Sequence, residues 1–381
     1  MNVATFFHHA QLFALLASVS ILASCASVPA VSQGAHSAFV PDLETPSVRT
    51  TLKAIVSTPP GAGLPQWCTR LIDVATGKSE CVDSRDGAAP TIFSAPYDNG
   101  NQVIKLTFAL RGGSASAFAL HHLDVATGQQ TEIAQWEQSS PLATTFEKTL
   151  SVSPNGHRLA LIRVAPLRRD AGLRFTQGPL ELFDLKTQLW RSTGVQAMDG
   201  RPVQWLDDHK IVYVRVTPRD RVDEAILRSA TSQPDGFAAA YEHFGRVPLV
   251  VLRDLQTGSE RVLHIGETAF VVPGSDRIVV QDNARHLRFV DLGDLRSETL
   301  PNDQLPGITH KGVVAMLDRS HLLYWALPTE GQPPRYTLSN SPLVGPKLVL
   351  SLKVADIGTR EFVTVVEHID PRSHPGVAFI H

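Results

Sequence analysis

The sequence predicts an all-β fold, a six- to seven-bladed β-propeller carrying one short helical insertion. Three observations point to it. A hairpin with an Asp-centred turn recurs five times, a second hairpin with a tight polar turn precedes each copy, and the runs between turns are apolar and strand-like.

The recurring hairpin reads RLIDVATGKSECV ending at Val82 and HHLDVATGQQTEI ending at Ile133. It returns as LELFDLKTQLWRS ending at Ser192, VVLRDLQTGSERVL ending at Leu263 and LRFVDLGDLRSETL ending at Leu300. Its aspartates are Asp73, Asp124, Asp184, Asp254 and Asp291, separated by 51, 60, 70 and 37 residues. That irregular period lies around the length of a four-stranded blade. An Asp closing a strand accepts hydrogen bonds from amides two or three residues on, Thr supports the same turn, and Gly supplies the positive φ that reverses the chain. Gly77, Gly128 and Gly258 hold the glycine position, Gln188 replaces it in the third copy, and the fifth reads Gly293-Asp294.

The preceding hairpin is clearest in SVSPNGHRLALIRV (Ser151 to Val164), where Pro-Asn-Gly turns into a strand. SAPYDNGNQVIKLTF, VQWLDDHKIVYVRV, FVVPGSDRIVVQD and VAMLDRSHLLYWAL keep the outline. Two hairpins make one four-stranded blade. A pair of β-sandwiches also gives short strands at turn spacing, but not one two-hairpin unit repeated five times in order. TLKAIV (Thr51 to Val56) and EFVTVVEHI (Glu361 to Ile369) are expected to share the blade that closes the ring.

Residues 217–246 break the pattern. Val222, Ala225, Ile226 and Ser229 fall at i, i+3, i+4 and i+7, predicting a helix, and PDGFAAAYEHFG predicts a second short one between Pro234 and Gly245. Insertions on a repeat scaffold lie at its surface, where function concentrates.

The N-terminus reads as an address. LFALLASVSILA (Leu12 to Ala23) is too short for a permanent span and suits the apolar region of a secretory signal. It runs into LASC, Leu22 to Cys25, which resembles a bacterial lipobox whose cysteine is acylated. The leading MNVATFFHHAQ departs from that pattern in having no Lys or Arg; an ordinary signal with a chance cysteine is the alternative. Residues 1–24 are thus expected as a lipoprotein signal peptide, Cys25 as the lipidation site, 25–50 as a Ser/Pro/Ala-rich tether reaching on the order of 25–30 Å, and 51–381 as the propeller. By analogy with lipoprotein sorting, Ala26 after the cysteine favours the outer membrane, periplasmic face.

Cys68 and Cys81 remain, and an oxidising compartment invites a disulfide. With Ala75 to Lys78 as a four-residue loop, Cys81 faces Ile72. Cys68 then lies roughly 13 Å further along the strand, beyond disulfide reach unless a bulge intervenes. The bond stays open.

Several function classes find no support. A formal net charge of −2 gives no electrostatic case for nucleic acid or an anionic membrane surface. No G-x-S-x-G, H-E-x-x-H, C-x-x-C, P-loop or EF-hand occurs. His121 and His122 are adjacent on a strand and point to opposite faces. Catalytic, cofactor and metal residues are therefore assigned to none, and the repeated aspartates read as turn structure spread around a ring.

The unit SPNG-x-x-L-A followed by an apolar-x-Asp-apolar-x-Thr-Gly hairpin resembles the propellers of TolB-type periplasmic proteins. It is similar also to the N-terminal propellers of prolyl-oligopeptidase-family serine peptidases, the lasso-peptide isopeptidases included. The resemblance spans most of Thr51 to Ile369, and the insertion after VRVTPRD is similar to the peptidase group. The chain reaches His381 where a hydrolase domain would begin, so no Ser-Asp-His set carries over. Taken with the lipobox and the lack of a catalytic motif, the expected function is a lipid-anchored, non-enzymatic module with a monomeric body that binds a protein or peptide, touching the membrane through its anchor only. The alternative is the propeller part of a peptidase system working with a separate catalytic domain.

Overall fold

The structure, a computed structural model, describes residues 53–58, 67–73, 79–85, 92–94, 102–111, 114–124, 127–137, 150–162, 177–198, 200–231, 238–300, 305, 307–327, 350–369 and 377–380, apart from a few single positions. The expected signal peptide, Cys25, the tether and Gly77 lie outside the described residues.

The fold is an all-β propeller. The chain enters through β1 (Lys53–Thr58), β2 (Trp67–Asp73) and β3 (Ser79–Arg85), paired antiparallel in that order. Blade I follows as β4 (Ile92–Phe93), β5 (Gln102–Arg111), β6 (Ser114–Asp124) and β7 (Gln130–Glu137). Blade II is β8 (Ser151–Val152), β9 (Arg158–Ile162), β10 (Gln177–Asp184) and β11 (Leu189–Met198). Blade III is β12 (Gln204–Trp205), β13 (Lys210–Pro218), β14 (Arg246–Asp254) and β15 (Glu260–Ile265). Blade IV is β16 (Thr268–Val271), β17 (Arg277–Gln281), β18 (Leu287–Asp291) and β19 (Ser297–Leu300). Blade V is β20 (Ile308–Met316), β21 (His321–Ala326), β22 (Leu350–Asp356) and β23 (Phe362–Ile369). Finally β24 (Val377–Ile380) returns to pair with β1, Lys53 opposite Ile380 and Val56 opposite Val377.

The expected count of six to seven blades is therefore corrected. Five blades are each built from four consecutive strands, and the two ends of the propeller share one composite four-stranded sheet, ordered β24-β1-β2-β3. The closing strand is corrected too. Glu361 to Ile369 contributes β23, the outer strand of blade V, while Val377–Ile380 joins β1. The reason lies in sequence distance: β23 is fixed by its local hairpin with β22, whereas the β24–β1 pairing spans over 300 residues and leaves no local signal.

Middle strands are covered on both faces and read as near-continuous apolar runs, as in Val247–Val251 of β14 and His321–Ala326 of β21, all buried. Outer strands are half-wet: Leu189–Ser192 at the start of β11 are all exposed. Apolar clusters sit between blades rather than within them. Ile104, Leu159 and Phe183 join blades I and II, Leu182, Tyr213 and Ile278 join II to IV, and Phe270, Val313 and Tyr324 join IV and V. Trp205 donates its indole N–H to the Ser151 carbonyl at 3.1 Å, tying the inner strands of blades II and III.

Within a blade the two hairpin turns are bonded together. The amide of Leu185 donates to the His157 carbonyl, Leu255 to His209, Leu292 to Asp276 and Ile357 to Ser320, at 2.7–2.9 Å. The residue after each turn aspartate thus clamps the turn joining the blade's first two strands, at one end of blades II to V.

The insertion joins β13 to β14 at the opposite end of blade III. It holds α1 (Glu224–Thr231), started by the Asp223 carboxylate, which accepts the Ala225 amide at 2.7 Å. Leu227 is its buried anchor, with Val222 and Ile226 partly buried as the expected stripe has them, whereas Ala225 is exposed and Leu227 stood outside that stripe. The second expected helix is a single 3-10 turn, Ala239–His243, entered through Ala238 in the left-handed region.

Candidate functional site

The turn aspartates each act locally. Asp124 accepts the Thr127 amide at 2.9 Å. Asp184 accepts those of Lys186 and Thr187 at 3.1 and 2.7 Å, and Asp254 those of Gln256 and Thr257 at 2.8 and 2.9 Å. Asp291 accepts the Gly293 amide at 2.7 Å. The Thr187 and Thr257 amides hold the Asp184 and Asp254 carboxyls below the usual carboxylate range. Asp73 ends β2, in the corresponding hairpin position. The structure distributes these residues one per sheet and does not bring them together.

A sixth copy escaped sequence reading. Asp356 accepts the amides of Gly358 and Thr359 at 2.8 and 3.1 Å, and the Arg360 amide donates to its carbonyl at 2.9 Å. Arg360 takes the left-handed conformation that Gly128 and Gly258 take elsewhere, as do Gln188 and Leu295. The glycine signal had moved to Gly358, but Asp-x-x-Thr at a spacing of 65 residues from Asp291 was present.

Three clusters of ionisable side chains lie outside these turns. In the first, Asp318 bonds His321 Nδ1 at 2.7 Å, with Asp356 on Nε2 at 3.7 Å. Ser320 Oγ approaches the same Nδ1 at 3.3 Å. A nucleophile relay needs hydroxyl and carboxylate hydrogen-bonded to opposite ring nitrogens; here Ser320 and the bonded Asp318 share Nδ1, Asp356 at 3.7 Å lies beyond bonding distance of Nε2, and the Asp318 carboxylate clamps its own turn. Burial alone would raise the Asp318 carboxyl, but the His321 bond and the Ser320 and His321 amides outweigh it and hold it at about 2. A carboxyl lowered on folding contributes stability above its unfolded pKa and loses it as pH falls. Asp318→Asn is therefore expected to lower stability near neutrality, with about 1 kcal/mol of the gap coming from this ionisation after discounting for partial exposure. That part of the gap should disappear between pH 4 and 2 in denaturant midpoints; a gap constant with pH would refute it.

In the second cluster, Glu260 accepts from Tyr213 Oη and Arg253 Nη1 at 2.7 Å and from Arg215 Nη1 at 2.5 Å. Burial pushes the Glu260 carboxyl up, and these donors overcome it and leave it lowered. Arg253 Nη2 also donates to the Thr193 carbonyl of blade II at 2.9 Å. The third cluster holds the insertion. The fully buried Asp282 carboxylate accepts the Ala238 amide at 2.8 Å, the His286 amide at 2.8 Å and His286 Nδ1 at 3.0 Å. Burial, with Glu267 and Asp282 nearby, pushes the Tyr241 phenol up, and Arg201 pairs with Glu267 at 2.6 Å.

Among the described residues no three His, Cys, Asp or Glu side chains are gathered in metal-binding geometry. His121 is buried and His122 half-buried on the opposite face, where burial lowers its pKa. Cys81 is held in a disulfide. Its Cα partner on β2 is Arg70, not Ile72, so Cys68 lies two residues along β2 from that partner instead of the expected four.

Among the described residues a cleft lies between blades II and III, a wedge of about 460 Å³. Leu182, Leu255 and the exposed Leu189 and Trp190 are among its apolar lining, with Arg158, Arg191 and Arg253 around it.

Five contiguous four-stranded blades and a composite closing sheet define a β-propeller whose described polar clusters serve turns and inter-blade contacts. No protein-family model matches the sequence, and no curated protein matches it. Among solved structures the chain is similar to TolB from Acinetobacter baumannii, with a TM-score of 0.54 and 13% identity over 88% of this chain and 68% of that one. That likeness establishes the shared fold. Weaker similarity extends to an oligogalacturonate lyase in complex with manganese, at 14% identity, TM-score 0.43, covering 82% and 72% of the two chains. The β-propeller domain of the Trilobed protease from Pyrococcus furiosus gives 12% identity, TM-score 0.37, covering 73% and 71%.

Proposed function

We propose that this chain is a non-enzymatic protein- or peptide-binding module of the bacterial cell envelope, anchored through lipidated Cys25 and facing the periplasm from the outer membrane. The observation that carries the reading is the disposition of side chains on the ring. The clusters around Asp318, Glu260 and Asp282 are committed to turns, strands and the insertion, while Leu189 and Trp190 stand 67% and 37% exposed on a rigid scaffold. A closed ring presents loops and edges without reorganisation, which is how such scaffolds bind partners. The TolB-like fold is compatible with an envelope role, and fold alone assigns no function. We infer also that Cys68 is the disulfide partner of Cys81; a non-reducing peptide map lacking that linked pair would refute it.

Affinity capture from solubilised membranes of the native cells is the test. One protein recovered at near-stoichiometric yield is the expected result, and none would overturn the binding-module reading. In the same preparations Cys25→Ala should lose its acyl label and leave the membrane fraction; wild-type protein without acyl label would overturn the anchor. Labelling of the chain itself by a serine-directed fluorophosphonate would overturn its non-enzymatic character.

A further inference from the structure

The outer strands of a propeller present unpaired backbone groups, and proteins protect such edges with charge. Five of the six outer strands here carry carboxylates: Glu80 and Asp83 in β3, Glu132 and Glu137 in β7, Glu260 in β15, Glu298 in β19 and Glu367 in β23. Strand β11, LWRSTGVQAM, carries none. It is the outermost strand of blade II, and among the described strands nothing pairs with its outer side. Its first four residues are exposed.

Register decides which of them matter. Leu189 lies opposite Asp184 and Arg191 opposite Leu182 on β10, so both share the face turned toward blade III, where Leu182 packs. Trp190 lies on the other face against Phe183, with ring centroids 4.8 Å apart. The face of Leu189 and Arg191 is one wall of the wedge, and Arg253 and Leu255 of β14 and its turn form the other.

The cations of the wedge are positioned in advance. Arg253 is fixed by Glu260 and by the Thr193 carbonyl of β11 itself, and Arg158 Nη1 donates to the Asp208 carbonyl at 3.3 Å. The one carboxylate lining the wedge, Asp184, already accepts the amides of its own turn. A site with a strand edge that no described strand pairs, an apolar lining and three arginines, one of them (Arg253) paired with Glu260, is complementary to an extended, acidic chain.

We propose that the edge of β11 and the adjoining wedge bind an extended acidic segment of the partner protein, which adds to blade II as a fifth strand. Side chains two apart share a face of a strand. The recognised pattern is therefore an apolar residue followed at i+2 by Asp or Glu, the apolar group against Leu189 and the wedge lining, the carboxylate toward Arg191 and Arg253. Backbone pairing supplies affinity and the alternate side chains supply selectivity. This deepens the binding-module reading and rests on it.

The probe is a fluorescein-labelled, end-capped decapeptide alternating Leu and Glu, with an alternating Leu and Lys peptide as its counterpart, titrated by anisotropy against the purified full-length protein. The Glu peptide is expected to bind and to weaken with added salt, and the Lys peptide to bind at least roughly tenfold more weakly. Arg191→Glu and Leu189→Asp, both on exposed positions, should each weaken the Glu peptide about tenfold or more, and Arg191→Glu should invert the preference. Unchanged melting curves of the variants show that the fold survives. Equal binding of both peptides, or Arg191→Glu binding the Glu peptide as wild type does, overturns the proposal. A wild-type dimer in sedimentation that Leu189→Asp dissociates also overturns it, making a second copy the occupant. If both variants capture the native partner as wild type does, the binding-module reading survives and the β11 site fails; if wild type captures nothing, the module reading fails by its own test.

Discussion

Deletion of residues 371–381, which contain β24, is expected to be the most damaging small truncation of the propeller. Four pairs, from Lys53–Ile380 to Val56–Val377, connect the ends of the ring, and no other described strand borders β1 on that side. Removing them opens the ring and exposes a bare strand edge of β1. The loss is expected to be on the order of 5 kcal/mol, summing lost pairing and lost contact of β24 with blade I. Calorimetry should show a lowered, broadened or split transition, and size-exclusion chromatography should show self-association through the new edge. A synthetic peptide of residues 371–381 added in trans should restore the single transition. A truncated chain that stays monomeric with an unchanged melting temperature would refute this account of closure.

Asp282→Ala is expected to have the next largest effect. The carboxylate is fully buried and receives three hydrogen bonds, one from Ala238 in the insertion and two from His286 in its own loop. Deleting it leaves the Ala238 amide and the His286 donors without their acceptor, at a cost of about 3–4 kcal/mol. Because Ala238 lies next to the 3-10 turn that carries buried Tyr241, the first consequence should be local: proteolysis within residues 231–246 should accelerate before global unfolding does. Asp282→Asn, which keeps an acceptor oxygen, should cost roughly half as much. A denaturant midpoint within error of wild type for Asp282→Ala would show that the insertion is held by its apolar contacts alone.

The architecture was legible wherever a local rule produced it. Asp254, Thr257 and Gly258 announce their turn in the sequence because each supplies a distinct part of it: acceptor, second acceptor and positive φ. The same turn at Asp356 was missed although its Asp, Gly358 and Thr359 were present; Arg360 takes the positive φ without being glycine, as Gln188 and Leu295 do, a conformation costing about 1 kcal/mol or more that the flanking β22–β23 pairing sustains. The blade count was misjudged at the chain ends, where pairing is non-local, and the helix stripe kept Val222 and Ile226 but took Ala225 where Leu227 meets the core. The rim wedge had no sequence signature at all. Arg158, Arg191 and Arg253 lie 33 and 62 residues apart, and only the packing of blades II and III brings them together.

The composite sheet also imposes an order of events during synthesis. Blades I to V close by contacts between neighbours in sequence and can form as each hairpin emerges. The edge of β1 cannot be covered until β24 has been made, more than 300 residues later, so the nascent molecule remains an open arc through almost its entire production. Throughout that interval the unclaimed edge is the place where a chaperone would have most to gain by binding and a stray strand most harm to do.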